Sequence, residues 1–289
     1  MKNLLRIFYS FDIVTENENV IITPFKSSED GEPYEVWRVD TKETTYVLKK
    51  AKGCELDIYS SFFAEKVDGV PRYLCSTKND GDEYFLMEYV EGVELLQCDR
   101  ESIKKTLDSL IALQDKYWGA EDKSCVGYTF EKSLVGRKDR GNYLGDKSLE
   151  AYYSDFLEAY EILPRTLCHD DLLPFNVLVS DEKATIIDWE YAGMLPYLTS
   201  VARLLAHCEE RADTFFYMSD EDKWFAVDYY YDNFVKQKGI SYEEYRRHLD
   251  LFVFYEYCDW IMLGNKYDGA NMERYNSYLE KAKLHMKMR

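Results

Sequence analysis

The chain has 289 residues, 46% of them hydrophobic, and its 54 acidic against 36 basic side chains give a formal net charge of −18. That length and apolar content support a sizeable core in one large domain or two smaller lobes. So acidic a chain would be repelled by a nucleic-acid backbone or an anionic membrane surface, and neither is expected as a partner. In chain order, "VIITPF", "YEVWRV" and "TTYVLKK", separated by the polar turns "KSSEDGEP" and "DTKE", predict an antiparallel meander over residues 20–50. "CELDIYSSFFAEKV" places Leu56, Tyr59, Phe62 and Phe63 near helical spacing, and Gly69 with Pro71 ends that helix before a strand pair, "RYLCST" and "YFLMEYV".

Beyond Gly92 the pattern turns helical, at 101–117, 146–161, 197–211, 220–238, 242–263 and 271–287. Short strands around 166–168, 177–179 and 184–188 interrupt it. Strands followed by runs of helices predict an α+β protein, with a small antiparallel-sheet lobe carrying one helix over residues 1–91 and a larger, mainly helical lobe over 92–289. The seven cysteines form no CxxC pair, which suits reduced thiols and gives no support to structural zinc. No apolar run reaches the roughly eighteen residues of a membrane span. The N-terminal patch lacks a small-residue cleavage site, so a cytoplasmic protein is expected.

The chemistry concentrates in "LCHDDLLPFNVLVSDEKATIIDWEYAG", residues 167–193. If "VLVSDEKATII" is a hairpin turning at Ser180 to Lys183, the loop before one strand faces the end of the other. That brings Asp171, Asn176 and Asp188 together. Two oxygen ligands beside a free carboxylate suit a hard divalent cation that keeps some waters and binds through phosphates. The free carboxylate can take the proton from an attacking hydroxyl. Taken singly, each of the three is more readily a turn residue, since Asp and Asn favour turns.

His169-x-Asp171-x4-Asn176 followed by Ile187-Asp188-Trp189-Glu190 resembles the aminoglycoside phosphotransferase and choline kinase family, which shares the two-lobed fold of protein kinases. The resemblance implies Asp171 as catalytic base toward the substrate hydroxyl, with Asn176 and Asp188 holding Mg²⁺ on the phosphates of ATP. It also implies that Lys49, ending "TTYVLK", contacts the nucleotide phosphates and is oriented by Glu55, and that the hinge backbone around Glu88 and Val90 meets the adenine. Alone, Lys49 would be edge protection of an exposed strand and Glu55 an acid suited to a first helical turn. The turn over the nucleotide has a single glycine, Gly31, so phosphate contacts there fall to Ser27, Ser28 and local backbone N–H groups. GTP is not excluded as donor.

The expected activity is a magnesium-dependent small-molecule kinase, an ATP-dependent phosphotransferase with an alcohol group as acceptor. Its rival is a non-catalytic nucleotide-binding protein that retains the fold. Asp170 puts a second acid beside the expected base, where sharing one pocket would raise a pKa. Ser200 stands where the family commonly has an aspartate that braces the catalytic loop. His169, just after a buried strand, reads as a hydrogen-bonded structural residue; a metal-binding role would need histidine partners that His207, His248 and His285 do not supply by motif. The acceptor is a small molecule, expected to be cationic and aminoglycoside- or choline-like. Residues 209–232 hold eight acids against two bases, either an attractive rim for such a cation or a solvated helix face. The aromatic stripe of "LFVFYEYCDWIML", Trp260 first, is either a cage for a quaternary ammonium or core.

Overall fold

The computed structural model describes residues 2–13, 19–26, 31–211, 214, 216–267 and 272–287. Helix α1 (Lys2–Tyr9) precedes the predicted meander of β1 (Ile21–Lys26), β2 (Pro33–Asp40) and β3 (Thr45–Lys50). Helix α2 (Glu55–Phe62) then leads to β4 (Tyr73–Asn79) and β5 (Asp82–Glu88), and the five antiparallel strands lie in the order β1-β2-β3-β5-β4. β5 thus sits beside β3, with Lys49 opposite Phe85.

Successive strand residues face opposite sides of a sheet, and here both sides are used. Leu48 and Leu86 join Ile7 and Phe8 of α1 in one cluster. Phe85 and Met87 on the other side join Ile58, Tyr59 and Phe62 of α2, in a core continuous with the helical part of the molecule. The sequence reading gave this lobe one helix; the second, α1, is eight residues whose Ile7 and Phe8 are fully covered.

The helical part contains β6 (Val93–Glu94), α3 (Arg100–Lys116), α4 (Phe130–Gly141), α5 (Lys147–Ile162), β7 (Arg165–Cys168), β8 (Val177–Val179), β9 (Ala184–Ile186) and β10 (Gly193–Pro196), then α6 (Leu198–His207), α7 (Asp220–Asn233), α8 (Tyr242–Tyr267) and α9 (Met272–Lys287). The helix starts are chemically marked: Asp99, Asp146 and Ser219 each accept a backbone N–H from the first turn of α3, α5 and α7. The predicted hairpin forms, β8 pairing with β9 and Ser180 N–H reaching Lys183 O at 2.9 Å. A second small ladder pairs β7 with β10, and Gly193 in it is required by contact: a Cβ there would lie 2.1 Å from the Tyr128 carbonyl oxygen.

α4 was absent from the sequence reading. Its buried residues are Phe130, Ser133 and Arg137, so its inward face carries a hydroxyl and a guanidinium where an apolar stripe would have marked a helix. Among the described residues, no helix is long and apolar enough to cross a membrane.

Candidate active site

Lys49, on the α2 side of β3, is buried with its ammonium 2.7 Å from Glu55 Oε1 and 2.6 Å from Asp188 Oδ1. The sheet and α2 therefore present one cation to the loop after β9. Glu55 is fully buried at the first turn of α2, and burial pushes its carboxyl up to about 7 against the pull of Lys49. Asp188 keeps an exposed edge; burial would raise it too, but the charge and hydrogen bond of Lys49 outweigh burial and hold it below the ordinary carboxylate range. For Lys49, the two carboxylates overcome the burial that would discharge it. Asp188 is thus the partly exposed acid of this trio and the one best able to stay ionised.

The loop 169–176 is built from its backbone. Asn176 Nδ2 donates to the Asp171 carbonyl at 2.8 Å, and Leu173 N–H reaches the same oxygen at 2.8 Å. With its nitrogen engaged, the Asn176 amide has its oxygen left as an acceptor. Ile187 N–H donates to Asn176 O at 2.9 Å, which fastens this loop to the strand leading into Asp188. His169 is buried, its Nε2 2.8 Å from Ile187 O and its ring 4.8 Å from that of Trp189. Burial holds its pKa below the ordinary value. His169 is therefore a hydrogen-bonded core residue linking the two halves of the motif.

Two aspartates here, Asp170 at φ 58° and Asp188 at φ 64°, occupy the left-handed region, where Asp is among the few non-glycine residues tolerated. The turn at Asp170 carries its side chain toward α4: Oδ1 accepts from Arg137 Nη2 at 2.6 Å, and the Arg137 guanidinium lies over the rings of Tyr160 and Tyr255. The second acid of "HDD" is thus spent on a buried ion pair. Asp171 faces the other way, its Oδ1 receiving Arg203 Nε at 2.9 Å and Nη2 at 2.7 Å. Burial pushes Asp171 above its ordinary value and Arg203 pulls it back only in part. Arg203, on α6, went unnoticed in the sequence. Its only signal there is a charged residue within the apolar "VARLLA" of a helix that is otherwise nearly all buried.

Ser200, one turn earlier on α6, accepts the His169 backbone N–H on Oγ at 2.9 Å, so a hydroxyl braces the loop. Ser200→Ala would strand that N–H in a sealed site and is expected to lower stability by about 1–3 kcal/mol. Thermal unfolding of the variant reads this directly; an unchanged midpoint would show that the bond contributes nothing.

The remaining predicted positions are placed as follows. Glu88 ends β5 and spends its backbone N–H on Arg72 O and its Oε1 on Arg72 N–H, both at 3.0 Å, while Val90 lies two residues past the strand. Ser27 and Ser28 lie outside the described residues, as does Asp213 of the acidic segment. That segment touches the 169–176 loop through Phe216, whose ring is 5.7 Å from that of Phe175. Its acids are largely engaged elsewhere: Glu221 and Asp222 with Arg100, Asp232 with Lys236, Glu209 with Lys281, and Asp228 with the Tyr242 hydroxyl. Phe252, Phe254 and Tyr255 are core residues, and Trp260 stacks on Tyr278 at 5.6 Å.

Residues 26–232 match the profile of the phosphotransferase enzyme family (APH). The chain belongs to that family. A LicA homolog from Mycoplasma capricolum is 28% identical over 159 residues, 50% of this chain and 60% of that protein. The matched segments span 20% to 60% of the lengths of the curated relatives. Among solved structures, a choline kinase from Cryptosporidium parvum aligns over 99% of this chain and 96% of its own with a TM-score of 0.66 at 12% identity. Choline kinase LicA from Streptococcus pneumoniae aligns over 98% and 99% with a TM-score of 0.64 at 13% identity. At such identities these likenesses show the fold, a two-lobed kinase-like architecture with an antiparallel-sheet N-terminal lobe and a mostly helical remainder.

Proposed function

We propose that the chain is a magnesium-dependent small-molecule kinase that transfers the γ-phosphate of ATP to a hydroxyl of a small, cationic acceptor, choline- or ethanolamine-like or an aminoglycoside. The observation that carries this is the connected set Glu55–Lys49–Asp188, tied through Ile187 and Asn176 to Asp171. In this reading residues 1–91 hold the nucleotide and residues 92–289 hold the acceptor. Lys49 meets the nucleotide phosphates, with Ser27, Ser28 and the backbone of Glu88 and Val90 completing the nucleotide contacts.

Asn176 Oδ1 and the Asp188 oxygen not taken by Lys49 are hard donors at the cleft, which fits a small divalent cation that draws its other ligands from phosphate and water. Such a cation, when bound, neutralises charge on the transferring phosphoryl group. Asp171 accepts the proton of the acceptor hydroxyl as its oxygen bonds to the γ-phosphorus, and the bond from that phosphorus to the β-phosphate bridging oxygen breaks to release ADP. GTP would fit the same phosphate contacts. A cytoplasmic setting would supply both nucleotide and magnesium.

ADP release from purified protein with Mg²⁺ and ATP, across choline, ethanolamine, aminoglycosides, amino alcohols and sugars, tests this. Acceptor-dependent release that Asp171→Asn abolishes supports transfer. ATP binding without release on any acceptor favours the rival, a nucleotide-binding protein that does not transfer, which is motivated by Arg203 already resting on Asp171.

A further inference from the structure

Nothing in the motif accounts for Arg203. Its Nε and Nη2 both converge on one oxygen of Asp171, Oδ1, while Oδ2 makes no hydrogen bond to the described residues. Asp171 keeps about a quarter of its side chain open, whereas Arg203 is mostly covered. Two donors on one oxygen fix the plane of a carboxylate and leave its second oxygen at a defined place. The third arm of the guanidinium, Nη1, reaches Glu256 Oε2 on α8 at 2.7 Å, and Glu256 is buried. Burial alone would neutralise Glu256, but the charge of Arg203 holds its carboxyl down to about 2. One guanidinium is therefore shared by two carboxylates, and the trio keeps a net negative charge.

The support extends one layer further. His207, one turn along α6 from Arg203, lies 3.4 Å from the same Glu256 oxygen and 3.2 Å from the Tyr278 hydroxyl on α9. Three helices thus hold the group that holds Asp171.

We propose that Arg203 is the positioning residue of this site: anchored by Glu256, it grips Asp171 through one oxygen and aims the other at the acceptor hydroxyl. This rests on the reading of Asp171 as the proton acceptor in phosphoryl transfer. Only a planar fork can deliver two bonds to Asp171 and a third to Glu256 in fixed directions; a lysine offers a point charge on a flexible stem.

The test uses the full chain with Mg²⁺·ATP and two acceptors, choline and water, the latter read as ATP hydrolysis. Arg203→Met is expected to lower kcat about ten- to a hundredfold, with KM for ATP within about twofold of wild type, because misaiming a reacting group slows transfer without touching the nucleotide. Arg203→Lys recovers part of the rate. Arg203→Met alone leaves Glu256 a buried acid with only His207 beside it, so the double variant Arg203→Met/Glu256→Gln removes both charges together. It is expected to keep the wild-type thermal midpoint and still be slow.

A folded double variant at the wild-type kcat overturns the positioning role, as does a loss carried by KM for ATP. Asp171→Asn is the separating control: if it transfers at the wild-type rate, the reading of Asp171 falls and this inference with it. If Asp171→Asn is inactive while Arg203→Met is not, only the inference falls. A wild type that turns over neither water nor any acceptor of the panel above removes the phosphotransfer reading underneath both.

Discussion

Asp171→Asn is expected to slow phosphoryl transfer by at least about a hundredfold while leaving the affinity for Mg²⁺·ATP nearly unchanged. The amide has the shape of the carboxylate and keeps an oxygen for Arg203, so the loop has no reason to move. Its backbone carbonyl, which orders Asn176 and Leu173, is unaltered. What is lost is the carboxylate proposed to receive the acceptor's proton. Lys49, Glu55 and Asp188 are linked to one another, whereas the Asp171 side chain is bonded to Arg203, which predicts that nucleotide binding survives. Single-turnover transfer and calorimetric ATP binding on the same preparation separate the two effects. An equal loss of both would take Asp171 out of its assigned role and make it part of the nucleotide site.

The same residues show what a sequence can and cannot disclose. The meander, α2 and the hairpin at Ser180 to Lys183 are local structures, each set by alternation, helical spacing or turn residues between neighbouring segments, and they lie where the pattern put them. Lys49 and Glu55 are six residues apart and Asn176 and Asp188 twelve, so the motif could be read as a unit. Arg137 and Arg203 were invisible for the opposite reason. Each is a largely covered cation whose partner is distant in sequence, Asp170 for one and Asp171 with Glu256 for the other. On a helix such a residue breaks the apolar period that would otherwise mark its face as buried.

Asp170 illustrates the consequence. Two adjacent acids suggest mutual repulsion, and that holds only if both face one pocket. The left-handed backbone at Asp170 sends them apart, one to α4 and one to α6, each to its own arginine. Ser200 is similar: a missing acid suggested a weakened brace, yet the hydroxyl accepts the same kind of backbone bond. The aromatic run 252–260 split along helical lines, with Phe252, Phe254 and Tyr255 buried against α5 and its neighbours and Trp260 stacked on α9.

Asp188→Asn is expected to move the magnesium dependence itself. Asp188 sits at φ 64°, a conformation Asn adopts as readily as Asp, so the substitution removes charge without straining the backbone. It leaves one neutral oxygen where two charged ones served Lys49 and the proposed metal, and it removes one of the two carboxylates around Lys49. The loss of a group that merely orients a metal ligand lowers metal affinity or activity by about ten- to a hundredfold, so loss of a ligand should do at least as much. Titrating transfer against Mg²⁺ should place the half-saturating concentration at least about tenfold higher in the variant. Asp171→Asn should leave that curve where it is and lower only its ceiling. The two aspartates would then be separated by experiment, one answering to the metal and the other to the acceptor. An unchanged magnesium curve in Asp188→Asn would instead leave Asp188 as a partner of Lys49 alone, and the cation, if one is used, would have to be held by Asn176 and the phosphates.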